Sequence, residues 1–186
     1  SMMERNISLH LQNLVEVKET AIEQWLQERI NDGKILTRSQ EIKSLNPSEI
    51  KTFLKFKKEL HPSYRTLLVL DLQGKEISHP PSPETFAKEE WFRGALTADV
   101  FLSPPALSSA SDPPFLVISL PIKDEKGALL GVFMEQVGMD YVASLISEPL
   151  LGKTGTLFLA NPEGEVLLRE KPAGGPRKDA LRVPYF

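Results

Sequence analysis

Apolar positions along this chain follow a helical period first and a strand period later. Ile7, Leu11, Leu14, Ala21 and Trp25 succeed one another at steps of four, three, seven and four, the spacing of a helical seam. Lys18 interrupts the seam, as a solvent-facing or dimer-facing position would. From Ala21 onward the stripe widens to include Ile22, Leu26 and Ile30. A narrow stripe suits a partner helix and a wide one suits packing on a domain. From Glu4 to Asn31 such a helix would be roughly 40 Å long at about 1.5 Å per residue. Asp32-Gly33 offers a break, yet Ile35, Leu36 and Ile42 continue the pattern to Leu45. The plainer alternative is a single surface helix with no partner.

Asn46-Pro47-Ser48-Glu49 then predicts a helix start: Asn46 as cap, Pro47 in the first helical position, Glu49 reaching back as in a capping box. That helix runs to about Leu60 and ends near His61-Pro62. Beyond it the period shortens. Thr66 to Leu70, closed by Asp71-Leu72-Gln73-Gly74 and followed by Lys75-Glu76-Ile77, predicts a β-hairpin. A short helix is expected around Thr85 to Leu96, and strands at Val100 to Ser103, Phe115 to Ile122 and Ala128 to Val137. A closing helix runs from about Asp140 to Ile146. Hairpin-linked strands with helices to one side predict an α+β fold around a five-stranded antiparallel sheet of PAS-like size.

Thr66 to Gly74 also lines up with Thr156 to Gly164: an apolar strand, an Asp or Asn, two residues and a Gly. An offset of about 90 residues suits duplication of a domain rather than a solenoid. The residues after Leu150 are too few for a second core. The expected organisation is a long helix over 1–45, a PAS-sized module over 46–150 and the beginning of a second module over 151–186.

Composition narrows the function classes. A formal net charge of −3 offers no basic face for nucleic acid. No apolar run is long enough to span a bilayer, and charged Glu4 and Arg5 argue against a secretory leader in the stretch given. Cysteine is absent, which removes thiolate catalysis and thiolate metal sites. His10, His61 and His79 lie at no metal-ligand spacing, and the serines show no nucleophile-elbow pattern. Gly152-Lys153-Thr154-Gly155 lacks the full phosphate-loop spacing and reads as a turn. The chain is expected to be a non-enzyme without metal or cofactor.

The ordered series from Ile22–Leu45 through Tyr64–Ile77, Glu89-Glu90-Trp91-Phe92, Val117–Gly127, Gly131-Val132 and Gly152–Phe158 resembles the double Cache (PDC-type, PAS-like) sensors of bacterial-type membrane receptors. The resemblance implies an extracytoplasmic small-molecule sensing domain feeding a histidine kinase, a chemoreceptor signalling domain or a cyclic-dinucleotide enzyme. It also implies a homodimer through the N-terminal helix and a membrane-distal ligand module at 46–150. An aromatic at Trp91 would wall the pocket, with Phe92 beside it, though core packing explains both equally well. Amino-acid-binding members carry an Arg two residues before that Trp and an Asp on the last strand. Here those positions are Glu89 and Gln136, so an amine-bearing or neutral ligand is expected in place of an α-amino acid. Ser103 and Ser119 would add hydroxyls, and an amine beside Trp91 would gain cation–π attraction. The plainer reading of Glu89 is a solvated carboxylate beside Glu90. Two other classes stay open: a ligand-free spacer and dimerisation module, and a cytosolic PAS-like cofactor domain.

Overall fold

A computed structural model describes residues 2–78, 85–106, 114–147, 158–160 and 166–169; the side chains of 2–11, 167 and 169 lie outside the description. Helix α1 spans Met2–Leu36 without interruption. The break that Asp32-Gly33 offers is not taken, but the helix does not run on to Leu45 either: it ends at Leu36, and the chain turns into the short α2, Gln40–Lys43. Thr37 and Ser39 force that turn by spending their hydroxyls on the carbonyls of Lys34 and Leu36, which closes the helix end locally. Gly33 serves close approach. A Cβ there would stand 2.8 Å from Leu120 Cδ1, so the missing side chain lets α1 lie against the sheet.

Helix α3, Pro47–Leu60, begins as expected, with the Asn46 side chain accepting from Ser48 N and Glu49 N. The capping-box return from Glu49 does not form; the Asn46 N–H donates to Ser44 Oγ at 3.1 Å. The first strand, β1, covers Tyr64–Leu70. Its turn is locked by Asp71, whose Oδ1 accepts from Gln73 N and Lys75 N, while Gly74 adopts φ +76°. Asp124 repeats the arrangement with Lys126 N, Ala128 N and Gly127 at φ +84°.

Helix α4, Glu90–Thr97, leads to β2, Phe101–Leu102. Strands β3, Phe115–Lys123, and β4, Leu129–Gly138, form the long central hairpin, and α5, Asp140–Ser147, follows. The sheet is antiparallel in the order β1-β4-β3-β2. It has four strands rather than five because the arm after Gly74 pairs with β1 only briefly, with Ile77 N donating to the Val69 carbonyl at 2.7 Å. Glu76 keeps only an isolated bridge to Leu70, and the Ser78 hydroxyl takes the Val69 N–H at 3.2 Å.

One sheet face packs on α1, α2, α3 and α5 through Trp25, Leu36, Ile42, Ile50, Leu54, Leu67, Ile118, Leu120, Phe133, Val137, Val142 and Ile146. Alternation sends their neighbours to the other face, where Leu70 and Val132 meet Phe92 and Ala95 of α4. Lys18 belongs to the packed side of α1: it is buried, and its ammonium donates to the Leu145 carbonyl in the last turn of α5. The solvent- or dimer-facing role expected of Lys18 is thus corrected, since a cation suits the unsatisfied carbonyls of a helix C-terminus.

Two further strands, β5 (Phe158–Ala160) and β6 (Val166–Arg169), pair antiparallel. They flank the stretch predicted as a second hairpin, whose turn at 161–165 lies outside the described residues. Leu159 and Leu168 rest against the main core. The Gly152–Gly155 turn, Gly174-Gly175 and His79 also fall outside.

Candidate ligand-binding site

The face carrying α4 is uneven, and its register shows why. Leu70, Val132 and Pro121 form one row across the strands; Leu68, Met134, Ser119 and Phe101 form the next; Thr66, Gln136 and Val117 form the third. Helix α4 seats Phe92 and Ala95 on the first row. At Gly94 it approaches the second, where a Cβ would stand 2.2 Å from the Phe101 ring. The third row is only half-buried at all three residues, whereas Leu68, Met134 and Ser119 are buried. Pro121 in the first row and Phe101 in the second are half-buried too, so among the described residues exposure on this face rises toward the third row and toward the β3–β2 side.

Trp91, in the first turn of α4, packs on the Leu70–Phe92–Ala95–Val132 cluster of the first row. It is half-buried and stacks at 5.6 Å against Phe86 and at 6.4 Å, edge on, against Phe92. Phe92, at 2% exposure, is a core residue between α4 and the sheet, so the two neighbouring aromatics divide the roles. Ser119 shares the α4 face and donates its hydroxyl to the Trp91 carbonyl at 2.6 Å, tying helix to sheet. Ser103 pairs beside Val117: its N–H donates to the Val117 carbonyl, its hydroxyl donates to the Pro104 carbonyl and accepts from Val117 N. Both hydroxyl protons are thus spent on backbone carbonyls. Gln136 lies in the half-buried row between Thr66 and Val117. Glu89 is exposed at the N-cap of α4, with no side-chain cap bond.

Two residues on this face escape a motif-based reading. Thr66 stands opposite Gln136 and supplies a hydroxyl. Arg65 lays its guanidinium over the Phe115 ring at 5.5 Å and donates to the Pro114 carbonyl at 3.3 Å. Phe115 shares strand parity with Val117, which places this cation at the edge of the half-buried row. Period-two alternation along β3 and β4 was the available signal; the irregular register between Tyr64 and Thr66 hid Arg65. A separate open groove of about 330 Å³ lies at the other end of α4, between Ala95–Asp99, Pro121 and Lys123. It holds none of the candidate residues, and Lys123 there pairs with Asp99 at 3.1 Å. Among the described residues no group of His, Asp and Glu is placed to hold a metal ion.

A helix-flanked antiparallel sheet of this kind has a matching family model, described as Cache domain, which covers residues 1–184. The chain belongs to the Cache domain family. Solved structures agree on the fold of this Cache domain. The ligand-binding domain of Pseudomonas aeruginosa PAO1 amino acid chemoreceptor PctC, in complex with GABA, superposes with TM-score 0.69 at 18% identity, over 86% of this chain and 74% of that one. The ligand-binding domain of Pseudomonas fluorescens chemoreceptor CtaA, in complex with L-serine, gives 0.64 at 19% identity over 82% and 67%. That of Campylobacter jejuni chemoreceptor Tlp3, in complex with 4-methylisoleucine, gives 0.65 at 15% identity over 84% and 67%. No curated protein matches the sequence.

Proposed function

We propose that this Cache domain is the extracytoplasmic small-molecule sensing part of a membrane signal-transduction receptor, with a histidine kinase, chemoreceptor or cyclase output. The observation that carries the reading is the half-buried row Thr66–Gln136–Val117, which brings a hydroxyl and a carboxamide together on the sheet face that carries α4 and Trp91. A concave apolar wall with a few convergent polar groups is the usual form of a small-ligand site. Membership of the Cache family and the chemoreceptor ligand-binding domains of like fold support it. Among the described residues no helix is long and apolar enough to cross a membrane.

An amine-bearing or neutral ligand fits best. Glu89 holds the place of the expected Arg, Gln136 replaces an Asp, and Trp91 offers a π-face to a cation. Residues 46–150 form the sensing module, and 151–186 begin a second. The test is a thermal-shift screen of metabolites followed by calorimetry. A ligand at about 100 times its Kd stabilises the native state by about 2.7 kcal/mol. Trp91→Ala is expected to abolish binding, Glu89→Gln to weaken an amine selectively, and Arg65→Met to leave both unchanged. A carboxylate ligand lost in Arg65→Met but indifferent to Glu89 and Trp91 refutes this ligand class and moves the site to the Phe115 edge.

A further inference from the structure

On the opposite face of the sheet, three elements bring polar side chains together without joining them. Among the described residues, the buried side-chain atoms lacking a hydrogen-bond partner are Arg29 Nε of α1, Tyr64 Oη of β1 and both carboxyl oxygens of Glu135 on β4. Glu135 is fully buried, and its cross-strand neighbours are Leu67 and Ile118. Gly33 holds α1 directly above it: a Cβ there would stand 3.4 Å from Glu135 Oε1. Arg29 is directed elsewhere, to Asp32 at 3.0 Å and to Ser63 Oγ at 3.4 Å. The carboxyl thus meets neither cation nor donor. An ionised carboxylate is very costly in such a place, whereas the neutral acid is tolerated.

The charged and titratable groups acting on Glu135 are Asp32 and Arg29 from α1, with Tyr64 from β1; β3 contributes apolar Ile118 and Leu120. Burial, seconded by the Asp32 charge and opposed by Arg29, pushes the Glu135 carboxyl up to about 8.

We infer that the protonation state of Glu135 governs how the C-terminal half of α1 is seated on the sheet. Neutral, the carboxyl lets the helix lie close at Gly33. Ionised, it draws the Arg29 guanidinium away from Asp32 and displaces the helix. This proton-linked contact lies across the sheet from the candidate ligand site and does not depend on that site being correct.

Trp25 reports on it, because it is buried one turn before Arg29 on α1 and Trp91 is the only other tryptophan. In a Trp91→Phe background, Trp25 emission is followed from about pH 5 to about pH 9.5. The expected result is one transition centred near pH 8 that Glu135→Gln removes. Flat emission, or the same transition in the Gln variant, overturns the inference. Should Glu135→Gln fail to fold, the chain with carbon-13-labelled glutamate decides. One carboxyl titrating near 8, together with falling amide protection over 25–36 after division by the intrinsic exchange rate, supports it. Glutamates that all titrate near their ordinary value refute it.

Discussion

Ser119, buried in the third strand, illustrates how a residue chosen for its chemistry is used by the fold. Its hydroxyl bonds the Trp91 carbonyl, so Ser119→Ala should lower stability by about 1 kcal/mol and loosen α4, as urea denaturation will show. Gly74 is under a harder constraint. Its φ is +76°, and a Cβ would lie 2.5 Å from the Ala87 backbone nitrogen. Gly74→Ala should therefore cost more than about 1 kcal/mol and shift the segment entering α4, read as a lowered Tm. Glu135 makes stability depend on pH. Its native carboxyl titrates above the unfolded one, so the folded state binds the extra proton. The contribution of Glu135 to stability is fully present below the ordinary value of 4.5 and is lost as pH rises through about 8, with a slope of up to about 1.4 kcal/mol per pH unit. Urea midpoints measured across that window should decline in the native sequence and stay flat for Glu135→Gln.

At the scale of elements, short polar devices fix where each segment starts and stops. Asn46 accepts two backbone N–H groups at the head of α3, and Asn46→Ala should cost about 1 kcal/mol. Asp71 and Asp124 each accept two amides at a hairpin turn, a device readable from the shared Asp-x-x-Gly spacing. Lys18 joins α1 to the last turn of α5. Lys18→Met keeps the apolar stem but strips the Leu145 carbonyl of this donor, so a loss of about 1–3 kcal/mol is expected in thermal unfolding. Sequence periodicity read Lys18 as an interruption of the seam, whereas its side chain is buried on the packed side of α1. Its charge concealed the burial, because the compensating carbonyl is far away in sequence.

For the whole molecule, α1 is the core-covering helix, and the family resemblance also makes it the expected dimer contact. Leu14 is half-buried, and Lys18 and Trp25 continue its side of the helix onto the domain; Val15 and Val17 are exposed. The side chains of Ile7 and Leu11 lie outside the described residues. Replacing Leu11 and Leu14 together with Glu should convert a concentration-dependent dimer to monomer in sedimentation, and an unchanged association state would remove that contact from consideration.

The helical seam, the Asn46 cap, the two Asp-x-x-Gly turns and the alternation of β3 and β4 were all legible locally, because each depends on residues within a few positions of one another. The α+β class and the Cache resemblance followed from their order. What the tertiary structure alone decided is which face each alternating set occupies. It put Ser119 and Gln136 on the α4 side, spent the Ser103 and Ser119 protons on carbonyls, and split Trp91 from Phe92. It also buried Glu135 under Gly33. In the sequence, Glu135 shares parity with apolar Phe133 and Val137, a visible anomaly in a central strand. Its consequence needed α1, about a hundred residues upstream, to close over it. Burial and long-range partnership are properties of the packed chain, and local pattern carries no information about which distant segment will supply the cover.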